Sequence, residues 1–217
     1  MRLGFALPQS GPAADPNAVI AVARRAEELG YDSLWVAERL LWPLEPGALY
    51  PGSPDGSLPE PMKSQLEALE TLSFVASHTR RVTLGTSVMN LPFYQPLLLA
   101  RRLATLDVLS GGRLRVGLGN GWLPDEFDAV NVPMRGRGER ADEAIEAMKA
   151  IWADDPVEFQ GKHFQIPRSL IGPKPLQRPH PPIYLAAFAP IALRRVARYA
   201  DGWNPGALPI PILEQLF

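Results

Sequence analysis

The stretch Arg113-Leu-Arg-Val-Gly-Leu-Gly-Asn-Gly-Trp122 joins a strand pattern to a run of glycines near the middle of the chain. Every second residue from position 114 to 118 is large and apolar, which predicts a buried strand. Every second residue from 117 to 121 is glycine, which weakens a strand unless something must approach the backbone closely. Two interpretations follow: a flat or phosphorylated ligand lies against this backbone, or the glycines form a bulge or turn. Three glycines in phase favour the ligand.

Two common nucleotide motifs are excluded for this stretch. A Rossmann fingerprint requires a third glycine where Trp122 stands, and it should follow the first strand rather than about the fourth. A Walker loop requires a Gly-Lys-Ser/Thr triplet, and the chain contains none.

Strands and helices alternate on both sides of this stretch. Arg2–Pro8 and Tyr31–Glu38 read as strands, and the helix between them begins at Asp15-Pro16 and ends at Gly30. A strand, a helix and a strand within about 40 residues predict a parallel βαβ unit. The further predicted elements are helices at Met62–Thr79, Pro96–Ser110, Glu139–Trp152 and Pro190–Ala200, and strands at Val82–Met89, Pro182–Ala187 and Asp201–Pro205.

Two segments depart from this alternation. Leu40–Pro61 is a long loop rich in proline and glycine, and its aromatic residues predict an ordered lid. Residues 157–181 predict a small hairpin followed by an extended piece, an excursion from the main fold.

Buried strands separated by amphipathic helices predict an α/β protein with right-handed crossovers, here a TIM-type (β/α) barrel. Residues 1–217 are predicted to form one domain, although only about six strands are counted and this barrel closes with eight. Polar or glycine residues end several strands, where such folds bind ligands.

Composition narrows the range of possible functions. The net charge of -1 gives no reason to expect a nucleic-acid partner. The mean hydropathy is -0.06, and no apolar run is long enough to span a membrane. The N-terminus is too soon interrupted by proline for a signal peptide, so a cytoplasmic protein is expected. There is no cysteine, and the three histidines are far apart. We therefore expect no metal site, and chemistry that belongs to an organic cofactor.

Several segments resemble the bacterial luciferase-like monooxygenase family, in particular its branch dependent on the deazaflavin coenzyme F420. The matching segments occur in the family's order and cover nearly the whole chain: residues 28–38, 84–88, 103–113, 117–122, 173–177 and 200–205. The resemblance implies a (β/α)8 barrel, a homodimer, a small-molecule substrate, and F420 or alternatively FMN held at the carboxyl end of the barrel. Two further strand–helix units of the family pattern are not matched in this chain, which makes a shortened relative one alternative.

The resemblance also assigns residues. Ser87-Val88 matches a bulge that supports the coenzyme ring, often through a cis peptide, and residues 120–122 would flank the ring. Ala186–Ala189 matches the segment that holds the coenzyme phosphate at a helix start. Sugar-phosphate dehydrogenases of the family carry glutamate at the position of Trp122, which disfavours that substrate class. The implied coenzyme contacts are Phe5, Glu38, Thr86, Ser87, Val88, Gly119, Asn120, Gly121, Trp122, Ala186, Ala187 and Phe188.

Glu38 and Arg39 are the implied catalytic pair. F420-dependent members often have an acid followed by histidine at these positions, so the arginine departs from the pattern; its charge would neutralise one side of the reduced coenzyme. Trp35 and Trp203 are expected in the core rather than at the coenzyme. The expected function is hydride transfer at C5 of F420; the alternatives are an FMN-dependent monooxygenase and a non-catalytic relative that binds flavin or dimerises.

Overall fold

Six parallel strands lie side by side in the computed structural model, which describes residues 2–205 of the chain. Their order is β1-β2-β3-β5-β8-β9, the short β4 pairs with β5, and β6 and β7 form a separate antiparallel hairpin. The strands are β1 (Gly4–Ala6), β2 (Ser33–Val36), β3 (Thr83–Thr86), β4 (Met89–Asn90), β5 (Leu114–Gly119), β6 (Val157–Gln160), β7 (Gln165–Ser169), β8 (Ile183–Ala186) and β9 (Gly202–Asn204). The helices are α1 (Pro16–Glu28), α2 (Ala68–Ala76), α3 (Pro96–Ser110), α4 (Pro124–Ala129), α5 (Arg137–Trp152) and α6 (Pro190–Tyr199).

The helix boundaries follow from local chemistry. The Asp15 carboxylate accepts hydrogen bonds from the backbone N–H groups of Asn17 and Ala18, and Pro16 occupies the first position of α1, as the sequence predicts. Gly111, with φ +71°, ends α3 in the left-handed conformation that glycine adopts without strain.

The outer face of the sheet carries the core. Leu34, Leu84 and Leu114 are paired across β2, β3 and β5 and are fully buried. They belong to one apolar cluster with residues of the surrounding helices, such as Leu72 and Leu103. The alternating apolar residues of each strand therefore point outward to the helices, as in a (β/α) barrel wall.

Two large aromatic rings fill the opposite, inner face. Trp35 and Tyr184 meet edge to face with ring centroids 6.2 Å apart, and both are half-buried. Neighbouring strands carry glycine where these rings lie. A Cβ on Gly85 would come within 2.3 Å of the Trp35 ring, and one on Gly202 within 2.5 Å of the Tyr184 ring. Trp35, which the sequence analysis expects in the core, thus packs on the inner face of the sheet rather than among the helices.

The glycine run of β5 is explained by protein neighbours. A Cβ on Gly117 would lie 1.7 Å from the carbonyl oxygen of Thr86, and one on Gly119 would lie 2.7 Å from the Val88 side chain. Gly121 has φ +69°, and a Cβ there would meet the Phe127 ring at 2.7 Å. The space that side chains would need at these positions is taken by the last residue of β3, by the segment after it and by α4.

The helix predicted at Met62–Thr79 is shorter in the structure. A 3₁₀ turn spans Glu60–Lys63, and α2 begins only at Ala68. Between them Gln65 forms an antiparallel bridge with Ser10. Because these backbone groups bond to the loop after β1, they are not free to form a helix.

The predicted hairpin and one further helix lie outside the strand–helix alternation. The hairpin β6–β7 is present and packs against α5. Helix α4 was not predicted, although its proline start and acidic first turn are a helix signal. Among residues 2–205, no helix has the length and apolar character required to cross a membrane.

Replacing Gly117 with alanine should destabilise the protein strongly. The added methyl group has no room against the Thr86 carbonyl, so β3 and β5 must separate, and we expect a loss of about 3 kcal/mol or more in the free energy of unfolding. Urea denaturation measures this loss. The control is Gly172→Ala, since a Cβ there meets nothing within 4 Å. Equal stability of the two variants would contradict the close approach of β3 and β5.

Candidate functional site

The residues implied by the sequence collect where parallel strands end at one edge of the sheet. Glu38 follows β2, Ser87 follows β3, Asn120 follows β5, and Phe188 follows β8. Because all these strands run in the same direction, their carboxyl ends form a common rim. We refer to the ends of β2, β3, β5, β8 and β9 and the residues that follow them as the rim.

The segment after β3 is a bulge anchored at both ends. The backbone N–H of Ser87 donates to the carbonyl of Val36 (2.6 Å), and the N–H of Asn90 donates to the Glu38 carboxylate (2.7 Å). Between the anchors the chain leaves the sheet, and the Ser87–Val88 peptide bond is cis, as the resemblance implied. We refer to Ser87-Val88 as the bulge.

Side chains on both sides hold the bulge in place. The Thr86 hydroxyl donates to the carbonyl of Gly117 (2.7 Å) and accepts from its N–H (2.9 Å). On the other side of β5, the Asn204 amide donates to the Ser87 hydroxyl at 3.0 Å. The bulge is therefore tied to β5 and to the end of β9, while Ser87 itself stays exposed.

Glu38 is a buried carboxyl group that holds the bulge. Its side chain lies on the same side of the strand as Leu34 and Val36, and it accepts hydrogen bonds from the Asn90 N–H and the Tyr94 hydroxyl. Burial raises the pKa of Glu38 to about 7, with the nearby carboxylates of Glu67 and Glu126 adding to the rise against the two hydrogen bonds. Burial and the adjacent Glu38 raise the pKa of Tyr94 far above its usual range, so Tyr94 remains a donor.

Arg39 is paired inside the protein. Its Nη1 lies 3.0 Å from Oε2 of Glu126, and the side chains of the two residues are 8% and 1% exposed. Within residues 2–205, Arg39 Nε and Nη1 have no aligned hydrogen-bond acceptor, so the contact with Glu126 is an ion pair without hydrogen-bond geometry. Burial raises the pKa of Glu126, while Leu40 and Arg39 oppose the rise. Glu126 therefore already balances the charge of Arg39.

The segment after β5 carries Trp122 against this pair. The Arg39 guanidinium carbon lies 5.2 Å from the centroid of the Trp122 ring, and Tyr50 contacts the same ring at 5.5 Å. Asn120 and Gly121 lie between Trp122 and the end of β5 and are partly exposed at the rim.

The segment after β8 leads directly into α6. Ala186 pairs with Asn204 on the inner face, and Ala187 is buried and accepts a hydrogen bond from the Trp203 indole N–H. Phe188 is exposed two residues before Pro190, the first residue of α6. Trp203 lies beside Leu185 on the outer face, near the core position expected for it.

Phe5 lies away from these residues. It pairs with Leu34 on the outer face of the sheet, is 41% exposed and contacts the Tyr31 ring. Since Leu34 precedes Glu38 by four residues, Phe5 lies below the rim, on the outer face of the sheet.

Two residues of the site were not predicted from the sequence. Tyr94 has no local signal, because its contact with Glu38 joins positions 56 residues apart. Glu126 stands in the first turn of α4, so the helix was detectable, but its pairing with Arg39 was not.

The rim fits a flat, uncharged ring better than a metal ion. Ala6 and Ala186 are small and accessible on the inner face, and the exposed Ser87 hydroxyl bonds to Asn204, which pairs with Ala186. Across the described part of the chain, no three acidic or histidine side chains converge in a way that could hold a metal.

Replacing Glu38 with glutamine should change how stability depends on pH. A pKa raised from 4.5 to about 7 means that the folded chain binds the proton more tightly than the unfolded chain. Stability from this group is therefore present below pH 4.5 and is lost as the pH rises through 7, by about 3 kcal/mol in total.

Urea denaturation at pH 5 and pH 8 tests this expectation. The wild type should lose more free energy of unfolding between these two pH values than Glu38→Gln, which keeps an acceptor for Asn90. An identical loss in the two proteins would show that Glu38 does not titrate in this range.

The sequence relatives include two redox enzymes. A protein of Mycobacterium tuberculosis (strain H37Rv), Rv0940c, is 34% identical over 86% of this chain and 64% of its own length. The F420-dependent glucose-6-phosphate dehydrogenase of Amycolatopsis mediterranei is 32% identical over 87% of this chain and 53% of its own. The oxygenase component of the flavin-dependent trigonelline monooxygenase of Acinetobacter baylyi is 37% identical over 54% of this chain and 32% of its own.

A solved monooxygenase structure shares the fold of this chain. The crystal structure of the monooxygenase RslO1 from Streptomyces bottropensis matches with a TM-score of 0.79 and 29% identity, over 99% of this chain and 63% of that one. The chain thus spans less than two thirds of the length of these proteins, and its six parallel strands correspond to that share of a luciferase-like TIM barrel. The family described as luciferase-like monooxygenase matches residues 1–217, and the chain belongs to this family.

Proposed function

We propose that this chain binds coenzyme F420 at the rim, with the ring against the bulge, and that it belongs to an oxidoreductase that transfers hydride to or from a small organic substrate. The observation that supports this most directly is the bulge itself, which is anchored on both sides and leaves Ser87 exposed beside small inner-face residues. Rigid, pre-formed surfaces of this kind suit a planar ligand, because little ordering is lost on binding.

The surrounding segments supply the other contacts. Asn120 would contact the ring or the start of its side chain, and Gly119, Gly121 and Trp122 would border it. The backbone N–H groups that follow Ala186 and Ala187 lead into the start of α6, where a phosphate is favoured. When bound, F420 supplies a hydride donor and acceptor at C5.

Glu38 and Arg39 support this site from behind. Glu38 acts as a positioning residue, because its carboxyl group fixes Asn90 and thereby one end of the bulge. It also holds a proton near neutral pH, since burial raises its pKa to about 7. Arg39 contributes through its position over Trp122 more than through free charge, since Glu126 pairs with it.

An FMN-dependent monooxygenase is the second candidate. The RslO1 structure, a monooxygenase, is 29% identical, and the trigonelline monooxygenase component is flavin-dependent. Both coenzymes carry a planar three-ring system, so the rim suits either one. Oxygen activation requires FMN, whereas F420 restricts the chemistry to hydride transfer.

Titration with each coenzyme tests the proposal. We expect F420 to bind with a Kd in the micromolar range, equivalent to a binding free energy of about −8 kcal/mol. The change in fluorescence of the coenzyme ring measures this binding. Tighter binding of FMN would favour the monooxygenase. Binding of neither coenzyme below about 1 mM would remove the basis for both functions. Tight binding without turnover of reduced coenzyme would favour the non-catalytic relative.

An Asn120→Ala variant localises the binding site. Loss of one polar contact at the rim should weaken F420 binding about tenfold, with an unchanged circular dichroism spectrum. The control is Gln160→Ala, which removes an exposed amide from the hairpin β6–β7. Equal affinity of both variants would place the coenzyme elsewhere.

A further inference from the structure

The loop that follows β2 contacts the segment after β5 at several points. The N–H of Leu40 donates to Glu126 Oε1 (2.9 Å), and the N–H of Gly47 donates to Asp125 Oδ2 (3.0 Å). Arg39 pairs with Glu126, and the Trp122 ring contacts both the Arg39 guanidinium and the Tyr50 ring. The first half of the loop, residues 39–50, is thus held by residues 122–126, which include two adjacent acidic side chains of α4.

The second half of the loop returns to the exit of β1. The N–H of Gly11 donates to the carbonyl of Ser64 (2.7 Å), and the N–H of Leu66 donates to the carbonyl of Gln9 (2.9 Å). The loop therefore spans the rim from the exit of β5 to the exit of β1, past the ends of β2 and β3 that carry Glu38 and the bulge.

Little apolar burial holds residues 39–50. Leu44 is 95% exposed and Leu49 is 76% exposed, so neither contributes to a core. The contacts to residues 122–126 hold this half of the loop together with two contacts inside the loop region: the Trp42 ring lies 5.2 Å from Lys63 Nζ, and the Tyr50 N–H donates to the Gly56 carbonyl (2.8 Å). The Arg39–Glu126 pair among them is buried but not aligned for hydrogen bonding, so it costs desolvation without the full gain of a bidentate pair. The pair joins the loop to α4 and takes no part in the strand pairing, so its release breaks no bond of the sheet.

We propose that Glu126, through Arg39 and Trp122, acts as a latch that holds residues 39–50 at the rim, and that release of this latch controls entry and exit of the bound coenzyme. The second part rests on the proposed function, because Trp122 belongs both to the latch and to the segment that would border the ring. Glu126 is a positioning residue: it acts on the loop and does not touch the coenzyme.

The variant that tests the latch is Glu126→Gln, which keeps an acceptor for Leu40 but leaves Arg39 without its counter-charge. The matched control is Asp128→Asn, since Asp128 is an exposed acid in the same helix. Asp125→Ala is a second test, because it removes only the contact with Gly47 and leaves no buried charge unpaired.

The first measurement is limited proteolysis of the coenzyme-free protein. Thermolysin cleaves on the amino side of leucine, and Leu44 and Leu49 lie in the latched half of the loop. We expect Glu126→Gln to be cleaved at these sites at least about tenfold faster than the wild type and Asp125→Ala several-fold faster, at urea concentrations far below the unfolding midpoint. Asp128→Asn should match the wild type. Unchanged cleavage in both test variants would overturn the latch.

The second measurement is the rate of F420 release after dilution, which the fluorescence of the coenzyme ring reports. If the latch controls exit, Glu126→Gln should release the coenzyme about tenfold faster, and the association rate should rise as well. A merely structural role of Glu126 would lower stability without raising the association rate. Faster cleavage with unchanged release and association rates would overturn control by the loop. If the wild type binds no coenzyme, the proposed function and the control step both fail, while proteolysis still decides whether Glu126 holds the loop.

Discussion

The contact between Thr86 and Gly117 is the constraint on which the rim depends. Strands β3 and β5 pair through their main chains only at Leu84 with Leu114 and at Gly85 with Arg115. One residue later the Thr86 hydroxyl takes over, bonding both the N–H and the carbonyl of Gly117. The main chain of β3 is then free to leave the sheet and form the bulge before β4 rejoins β5. Only glycine allows this exchange, because any Cβ at position 117 would occupy the place of the Thr86 carbonyl.

Much of the fold could be predicted from the sequence because the signals for helices and strands are local. A two-residue period marks the strands, an Asp-Pro pair starts α1, and glycine ends α3. The parallel order follows from strands joined by helices. The helix boundary at Met62 was wrong because the backbone near Gln65 bonds to Ser10, a contact 55 positions away that no local pattern encodes.

The location of the candidate site could be predicted from the sequence, but the contacts between its side chains could not. The ends of parallel strands must meet at one edge, so Glu38, Ser87 and Asn120 were expected together. The partners that determine their chemistry come from distant positions, such as Tyr94 for Glu38 and Glu126 for Arg39. The glycines at positions 117, 119 and 121 also suggested ligand contact, and in the structure each one has another part of the chain against it. A glycine pattern shows that something approaches the backbone, not what it is.

The pair of rings formed by Trp35 and Tyr184 has a consequence for the depth of the site. These side chains occupy the inner face one layer below the bulge, over glycines on the strands beside them. A ligand bound at the rim as proposed would meet these two rings and would lie near the surface instead of descending between the strands. If the proposed coenzyme lies there, its substrate would have to come from the side of the loops, so loop residues rather than strand residues would decide which substrate fits.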